Sequence, residues 1–319
     1  ATIFATEYWA RNIHNANNPN FISQQGGWHN WQYQTPNYIL PALFIISDEV
    51  SSETMSRWLS GIDYDNPSSV GGRASDRNVI ALDKHVNWAG NKCWQIRIAL
   101  WSAILQKQPE RIRQEINIEL RKTFQYIEHL RNGVFRKSAN TAFNAMDNRN
   151  CGVYADGSYI DHQYYPCIAT YGANYFGVMS TVFRSIKGTS IFPTDPIVHN
   201  QVDFVRNCVE PLVWKNVIYW RARNRDVRSE QEIRKGHIKF VGYYLDMLDY
   251  VTGDDAAYLK SAIKTQGQYI ENTDLIATTG PNMMLYDEIM KDDSIKVLEN
   301  KDYNKVFFNM GVVAHNRDD

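Results

Sequence analysis

Four cysteines in 319 residues, none of them in a C-x-x-C pair, leave no zinc clip to build. A chain of this size also needs no disulfide framework from Cys93, Cys151, Cys167 and Cys208, although one bridge, Cys151–Cys167, is a candidate. No apolar run approaches the ~18 residues that span a bilayer. The opening "ATIFATEYWARN" lacks the basic start and apolar middle of a secretion signal, although a secreted chain whose signal has been removed would look the same. Net charge is −1, so no general basic field draws the chain to nucleic acid or a membrane surface. A polyanion could be met only by basic residues local to a groove. Glycine-rich phosphate loops, a GxSxG elbow and an HExxH pair are all missing, and alternating strand-like runs are scarce. No metal and no cofactor is expected.

Helical periodicity is what remains. Apolar residues fall at helical spacing over 38–59 and 91–108, and Pro109 opens a third run over 109–130. Further helices are expected over 171–187, 198–222, 229–250, 254–270 and 282–298, with Lys187-Gly188-Thr189 and Thr252-Gly253-Asp254 as stops. Some eight helices on short connections predict an all-α array of helical hairpins, one domain over 1–319. A hydrophobic content of 44% is enough for its core. The 9 tryptophans and 19 tyrosines often sit beside polar residues, which suits sugar stacking as well as it suits an amphipathic core.

Chemistry on such a scaffold is expected in its loops. Three stand out: "QQGGWHNWQYQTP" (24–36), "DKHVNWAGNK" (83–92) and "CGVYADGSYIDHQYYPCIATYG" (151–172). A basic run, "EPLVWKNVIYWRARNRDVRSE" (210–230), follows. Each has a plain structural reading: a turn at Asp156-Gly157, a packing tyrosine at Tyr171, a solvated helix end for the arginines.

In order and spacing these segments resemble the family-8 polysaccharide lyases, bacterial enzymes that cut hyaluronan, chondroitin and xanthan. "YADGSYIDH" followed by "TYG" is similar to that family's catalytic His–Tyr segment and matches its His to His162 and its Tyr to Tyr171, nine residues on. "EPLVWKNVIYWRARNRDVRSE" resembles its arginine segment, which implies Arg225, fifty-four residues beyond Tyr171, as the first catalytic Arg. "WAGNK" resembles the turn that carries its catalytic Asn, here Asn91. "GWHNWQYQTP" resembles its aromatic patch, with His29 and Gln32 where the family has Trp and Glu. Ser229 falls where its second Arg would be, with Arg228 one place early, and Asn224 replaces a glycine. "FFNMGVVAHNRDD" resembles the end of its helical domain. The resemblance implies an incomplete (α/α) toroid that lacks the family's first helices and packs against a β-sandwich region beyond this chain. It also implies an acidic polysaccharide substrate and a secreted or periplasmic enzyme. Trp28, Trp31 and Trp88 are candidates to stack on sugar rings, and Arg221, Arg223 and Arg228 to meet sulfates or carboxylates.

The expected reaction is a β-elimination. A base removes the uronate C5 proton, the C4–O bond breaks, and a 4,5-unsaturated product results. The substrate carboxylate gains charge on the way, so neutral or cationic donors such as Asn91 and His162 must hold it. Tyrosine titrates near ~10 in isolation, and a neighbouring guanidinium such as Arg225 lowers that. Tyr171 could then serve as base and, reprotonated, as acid; His162 is the competing base. Two other classes stay open: a glycoside hydrolase using Asp156 and Asp161 as its carboxylate pair, and a polysaccharide-binding domain without catalysis.

Overall fold

The computed structural model describes residues 2–15, 29–66, 69, 89–120, 123, 151–161, 165–193, 196–215, 217–223, 230–270, 280–299 and 303–317. They are mostly helical, with short strands only, and divide into two compact units. One unit comprises Ala1–Asn87 with Lys92–Thr123, the other Trp88–Asn91 with Phe124–Asp319. No described helix is long and apolar enough to cross a membrane.

The first unit holds α1 (Thr2–Asn12), a π-helical turn (Asn30–Gln34) running into α2 (Thr35–Ile45), and α3 (Ser52–Asp65). It also takes α4 (Ala89–Leu105) from Lys92 onward, then α5 (Pro109–Gln114). Leu40, Leu43, Trp58, Leu59, Ile62 and Ile98 make its buried core, each such side chain worth roughly 1.5–3 kcal/mol. The periodic run expected over 38–59 is two helices, not one. Ile46 leaves helical geometry (φ −108°, ψ 9°), and a 3₁₀ turn covers Ser47–Glu49. Ser51 then caps α3 by accepting the Thr54 N–H at 3.2 Å, with Glu53 complementing the helix dipole. A capping serine inside an apolar-periodic stretch overrides the period.

The second unit opens with a three-stranded antiparallel sheet, β1 (Gly152–Val153), β2 (Tyr159–Asp161) and β3 (Tyr165–Pro166), β2 in the middle. A π-helical turn (Ile168–Gly172) leads into α6 (Ala173–Ile186), and α7 (Ile197–Phe204) follows. Later come the β4 (Val213–Trp214)–β5 (Val217–Ile218) hairpin, α8 (Glu230–Met247), α9 (Gly253–Gly267), α10 (Met283–Lys291) and the β6 (Tyr303–Phe307)–β7 (Val312–Asn316) hairpin. α6 and α8 pack along a seam where Phe176 meets Phe240 at 5.6 Å between centroids. Gly177 is required there, since a Cβ would fall 2.4 Å from the Tyr243 ring.

Two expectations about this unit are corrected. The helix expected over 198–222 ends by Leu212, because Pro211 supplies no N–H to continue it. The β-branched Val213, Val217 and Ile218 then pair as a hairpin that turns through Lys215 (φ 43°). The Cys151–Cys167 bridge is absent. β1 and β3 flank β2 on opposite sides, so two strand spacings of about 4.8 Å separate them, beyond disulfide reach.

Candidate functional site

The Asp-Gly-Ser run builds the β1–β2 turn. Gly157 takes φ 85°, and a Cβ there would sit 2.2 Å from the Asn207 carbonyl, so glycine is needed twice over. Asp156 accepts from the Ser158 N–H and hydroxyl, both at 2.9 Å. Its Oδ2 also accepts the Asn309 backbone and side-chain N–H groups at 3.1 and 3.2 Å, while the Met310 N–H donates to Ser158 Oγ at 3.2 Å. The turn between β6 and β7 thus grips the turn between β1 and β2, and Lys305 adds a bond to the Asn207 carbonyl at 2.6 Å.

From that anchored turn β2 runs inward. Tyr159, Ile160 and Asp161 are buried, and Asp161 is completely so. Asp161 Oδ2 accepts the Tyr159 hydroxyl at 2.9 Å and the Gly90 backbone N–H at 3.1 Å. Gly90 lies in the first turn of α4, where helix N–H groups have no intrahelical acceptor and an anion is favoured. The same glycine faces Tyr171: a Cβ on it would be 3.0 Å from both Tyr171 Cδ1 and the Tyr171 carbonyl oxygen. Tyr171 is half-buried in the π-helical turn that precedes α6, an irregularity common at functional sites. The turn is braced by a Cys167 Sγ–Thr170 Oγ1 contact of 2.7 Å and a Gly172 N–H bond to the Cys167 carbonyl at 2.9 Å.

Three segments far apart in sequence therefore meet: the start of α4 with the buried Asn91, the end of β2, and the Tyr171 turn. His162 follows Asp161 directly in the chain and lies outside the described residues, as do Arg225, Arg228, Trp28 and Trp88. Asn91, expected where the 83–92 loop meets the 91–108 helix, is in the first turn of that helix. The described residues of 151–172, expected to be a loop, form a small sheet with a π turn. Trp31, in the first unit, is half-buried with its ring 5.4 Å from the buried His14, whose Nε2 is 2.8 Å from Asp65 Oδ2. Arg221 is exposed on the 3₁₀ turn Trp220–Ala222, its guanidinium 5.0 Å from the Trp220 ring centroid. Arg223 is fully buried, which does not suit contact with a sulfate.

Asp161 as the clamp between α4 and β2 was not legible in the sequence, where it figured only as one of a possible carboxylate pair. The structure commits both members of that pair to hydrogen bonds within the fold, Asp161 with no exposed surface. Among the described residues no group of three or more His, Cys, Asp or Glu side chains is placed to hold a metal ion. The site's chemistry is that of a phenol beside an amide-bearing helix start.

Residues 134–265 match the model of polysaccharide lyase family 8, N-terminal alpha-helical domain, and the chain is related to that family. It is 23% identical over 301 residues to the hyaluronate lyase of Staphylococcus aureus, covering 91% of this chain and 34% of that one. It is 20% identical over 239 residues to the xanthan lyase of a Bacillus species, covering 74% and 22%. The chain thus spans about a third or less of the length of these relatives. The fold matches the solved chondroitin AC lyase of Streptomyces coelicolor, in complex with chondroitin sulphate, with a TM-score of 0.76 at 14% identity over 99% of this chain and 40% of that one. It matches the Paenibacillus xanthan lyase with a TM-score of 0.72 at 18% identity over 97% and 26%. The all-α, toroid-type fold expected from the helical hairpins is the one these structures share with it.

Proposed function

We propose that this chain is the helical catalytic domain, over 1–319, of a secreted or periplasmic polysaccharide lyase. It breaks uronic-acid polymers of the hyaluronan and chondroitin kind by β-elimination. The observation that carries the reading is the convergence of the Asn91 turn, the strand end before His162 and Tyr171 around Asp161 and Gly90. Tyr171 removes the C5 proton as phenolate and returns a proton to the departing C4 oxygen, so one residue serves both steps and no carboxylate pair is needed. The Asn91 amide and the His162 ring hold the substrate carboxylate as its charge grows, and Arg225 favours the phenolate. Trp28, Trp31 and Trp88 offer ring faces to sugars, and Arg221 and Arg228 offer charge to sulfate or carboxylate.

The named activities of the relatives support the substrate class, and the engagement of Asp156 and Asp161 within the fold counts against a hydrolase with that pair. A β-sandwich region of the same enzyme is the partner this reading expects, and a polymeric substrate too large to cross a membrane is why it acts outside the cytoplasm. Incubation with hyaluronan, chondroitin sulfate and xanthan, followed by ultraviolet absorbance of the new C4=C5 double bond, tests the proposal. Chain shortening without that absorbance would make the protein a hydrolase.

A further inference from the structure

Within seven residues of the second unit, three large aromatic side chains face solvent: Trp214 at 42%, Tyr219 at 38% and Trp220 at 58% of full exposure. The hairpin register explains the first. Val213 opposite Ile218 points inward and is buried, so Trp214 opposite Val217 points out. Burying Trp214 would have required only a one-residue slip of register, so its exposure is built in by the strand pairing. Cations accompany two of the rings. Lys215 Nζ is 5.2 Å from the Trp214 centroid, and the Arg221 guanidinium is 5.0 Å from that of Trp220. Lys215 takes φ 43°, a left-handed conformation that disfavours a residue with a Cβ, yet lysine rather than glycine stands there.

Beside the hairpin lies a groove of about 250 Å³, lined on one side by Trp214 and Tyr219 and on the other by Tyr303, His315 and Asn316 of the terminal hairpin. The Tyr303 hydroxyl donates to the Pro211 carbonyl and ties the two sides together. No acidic side chain is among its described lining residues. Flat apolar rings, a lysine beside one of them and polar groups on the far wall suit an acidic sugar. An apolar sugar face can stack there, hydroxyls can meet His315 and Asn316, and a carboxylate or sulfate can meet Lys215 beside Trp214.

We infer that the β4–β5 hairpin is an accessory binding site for an anionic saccharide segment, holding a length of polymer away from the reacting bond. The occupant rests on the lyase reading; the shape and charge of the groove do not. Kinetics on long chondroitin sulfate and on short oligosaccharides of the same polymer, with Trp214→Ala and Lys215→Gln, test it. Both replaced side chains are exposed, so folding should be retained, and circular dichroism melts verify that. Each variant should raise KM for the long polymer about tenfold, the scale of one lost ring or charge contact. Short substrates should keep their kcat/KM, and the Lys215→Gln effect should fade in high salt. Unchanged KM on polymer, or equal losses on long and short substrates, overturns the inference. So does sedimentation showing that Trp214→Ala abolishes self-association while polymer binding stays intact, since the groove would then hold a second copy. If the wild type makes no unsaturated product, the lyase reading fails, yet titration with chondroitin sulfate still decides: weakened binding by Trp214→Ala supports the accessory site, and wild-type binding refutes it.

Discussion

The α6–α8 pair and the 151–172 stretch are neighbours in the second unit, held together by different physics. Between α6 and α8 the contacts are aromatic and aliphatic, such as Phe176 on Phe240, and the backbone satisfies itself within each helix. Over 151–172 the strands are two or three residues long, and buried polar groups take over. Asp156 gathers four donors at the turn, and Asp161 bridges Tyr159 to the start of α4. Apolar packing tolerates small adjustments, whereas a buried carboxylate with fixed donors sets positions and loses much when one partner is removed. The difference teaches where the chain trades regular structure for placement: at the residues that meet the proposed substrate.

The sharpest way to break this contrast is Tyr171→Phe, which removes the proposed proton carrier and keeps the ring. Turnover should fall by at least ~10²–10⁴-fold with KM little changed, measured as the initial rate of ultraviolet-absorbing product. A variant that keeps most of its activity hands the base role to His162. Next is Asp161→Ala, which leaves the Gly90 N–H and the Tyr159 hydroxyl without their acceptor. It should cost about 1–3 kcal/mol in a denaturant melt and lower kcat, while Asp161→Asn recovers much of both through its amide oxygen. Equal activity in Asp161→Ala would show that Asn91 and Tyr171 need no clamp.

Gly177→Ala probes the other side of the comparison by driving a Cβ into the Tyr243 ring. The expected loss is about 1–3 kcal/mol of stability, with kcat of the folded fraction unchanged; a drop in kcat would mean that the helical seam also positions the site. The gentlest test uses Glu210, whose buried carboxyl accepts from the Tyr244 hydroxyl at 2.7 Å and from Gln266 Nε2 at 3.0 Å. Burial raises its pKa from 4.5 to about 7, against the pull of those two donors. Below 4.5 both folded and unfolded chains hold the proton. Between there and 7 only the folded chain does, so this group's contribution to stability declines as pH rises through that window and levels off above it. Glu210→Gln should therefore flatten the decline in melting temperature across that range, and an unaltered slope would assign the pH dependence elsewhere.

Much of the helical part could be read from the sequence because helix formation is local. The 91–108 period became α4 (Ala89–Leu105), Pro109 opened α5, and the runs at 171–187, 229–250 and 254–270 found their helices within a few residues. The errors fell where a short-range signal competed with the period: Ser51 capping a new helix inside 38–59, and Pro211 with its β-branched neighbours ending the 198–222 run. Motif order singled out Asn91 and Tyr171; Asp161 entered only as half of the carboxylate pair of a rival hydrolase reading, and its bond to the Gly90 N–H was not foreseen. A carboxylate looks the same in sequence whether it faces substrate or a buried amide.

By itself, then, the sequence determined a helical scaffold, the absence of metal and phosphate-binding motifs, and the residues worth watching, since all of these depend on residue type and near-neighbour spacing. Tertiary structure alone decided that Gly90 would lie against Tyr171, that Asp161 would be sealed under the start of α4, and that Trp214 would face outward. The first two are contacts between segments distant in the chain, and close packing across such distances leaves no trace in local pattern, whereas the third follows from hairpin register, which a one-residue slip would reverse.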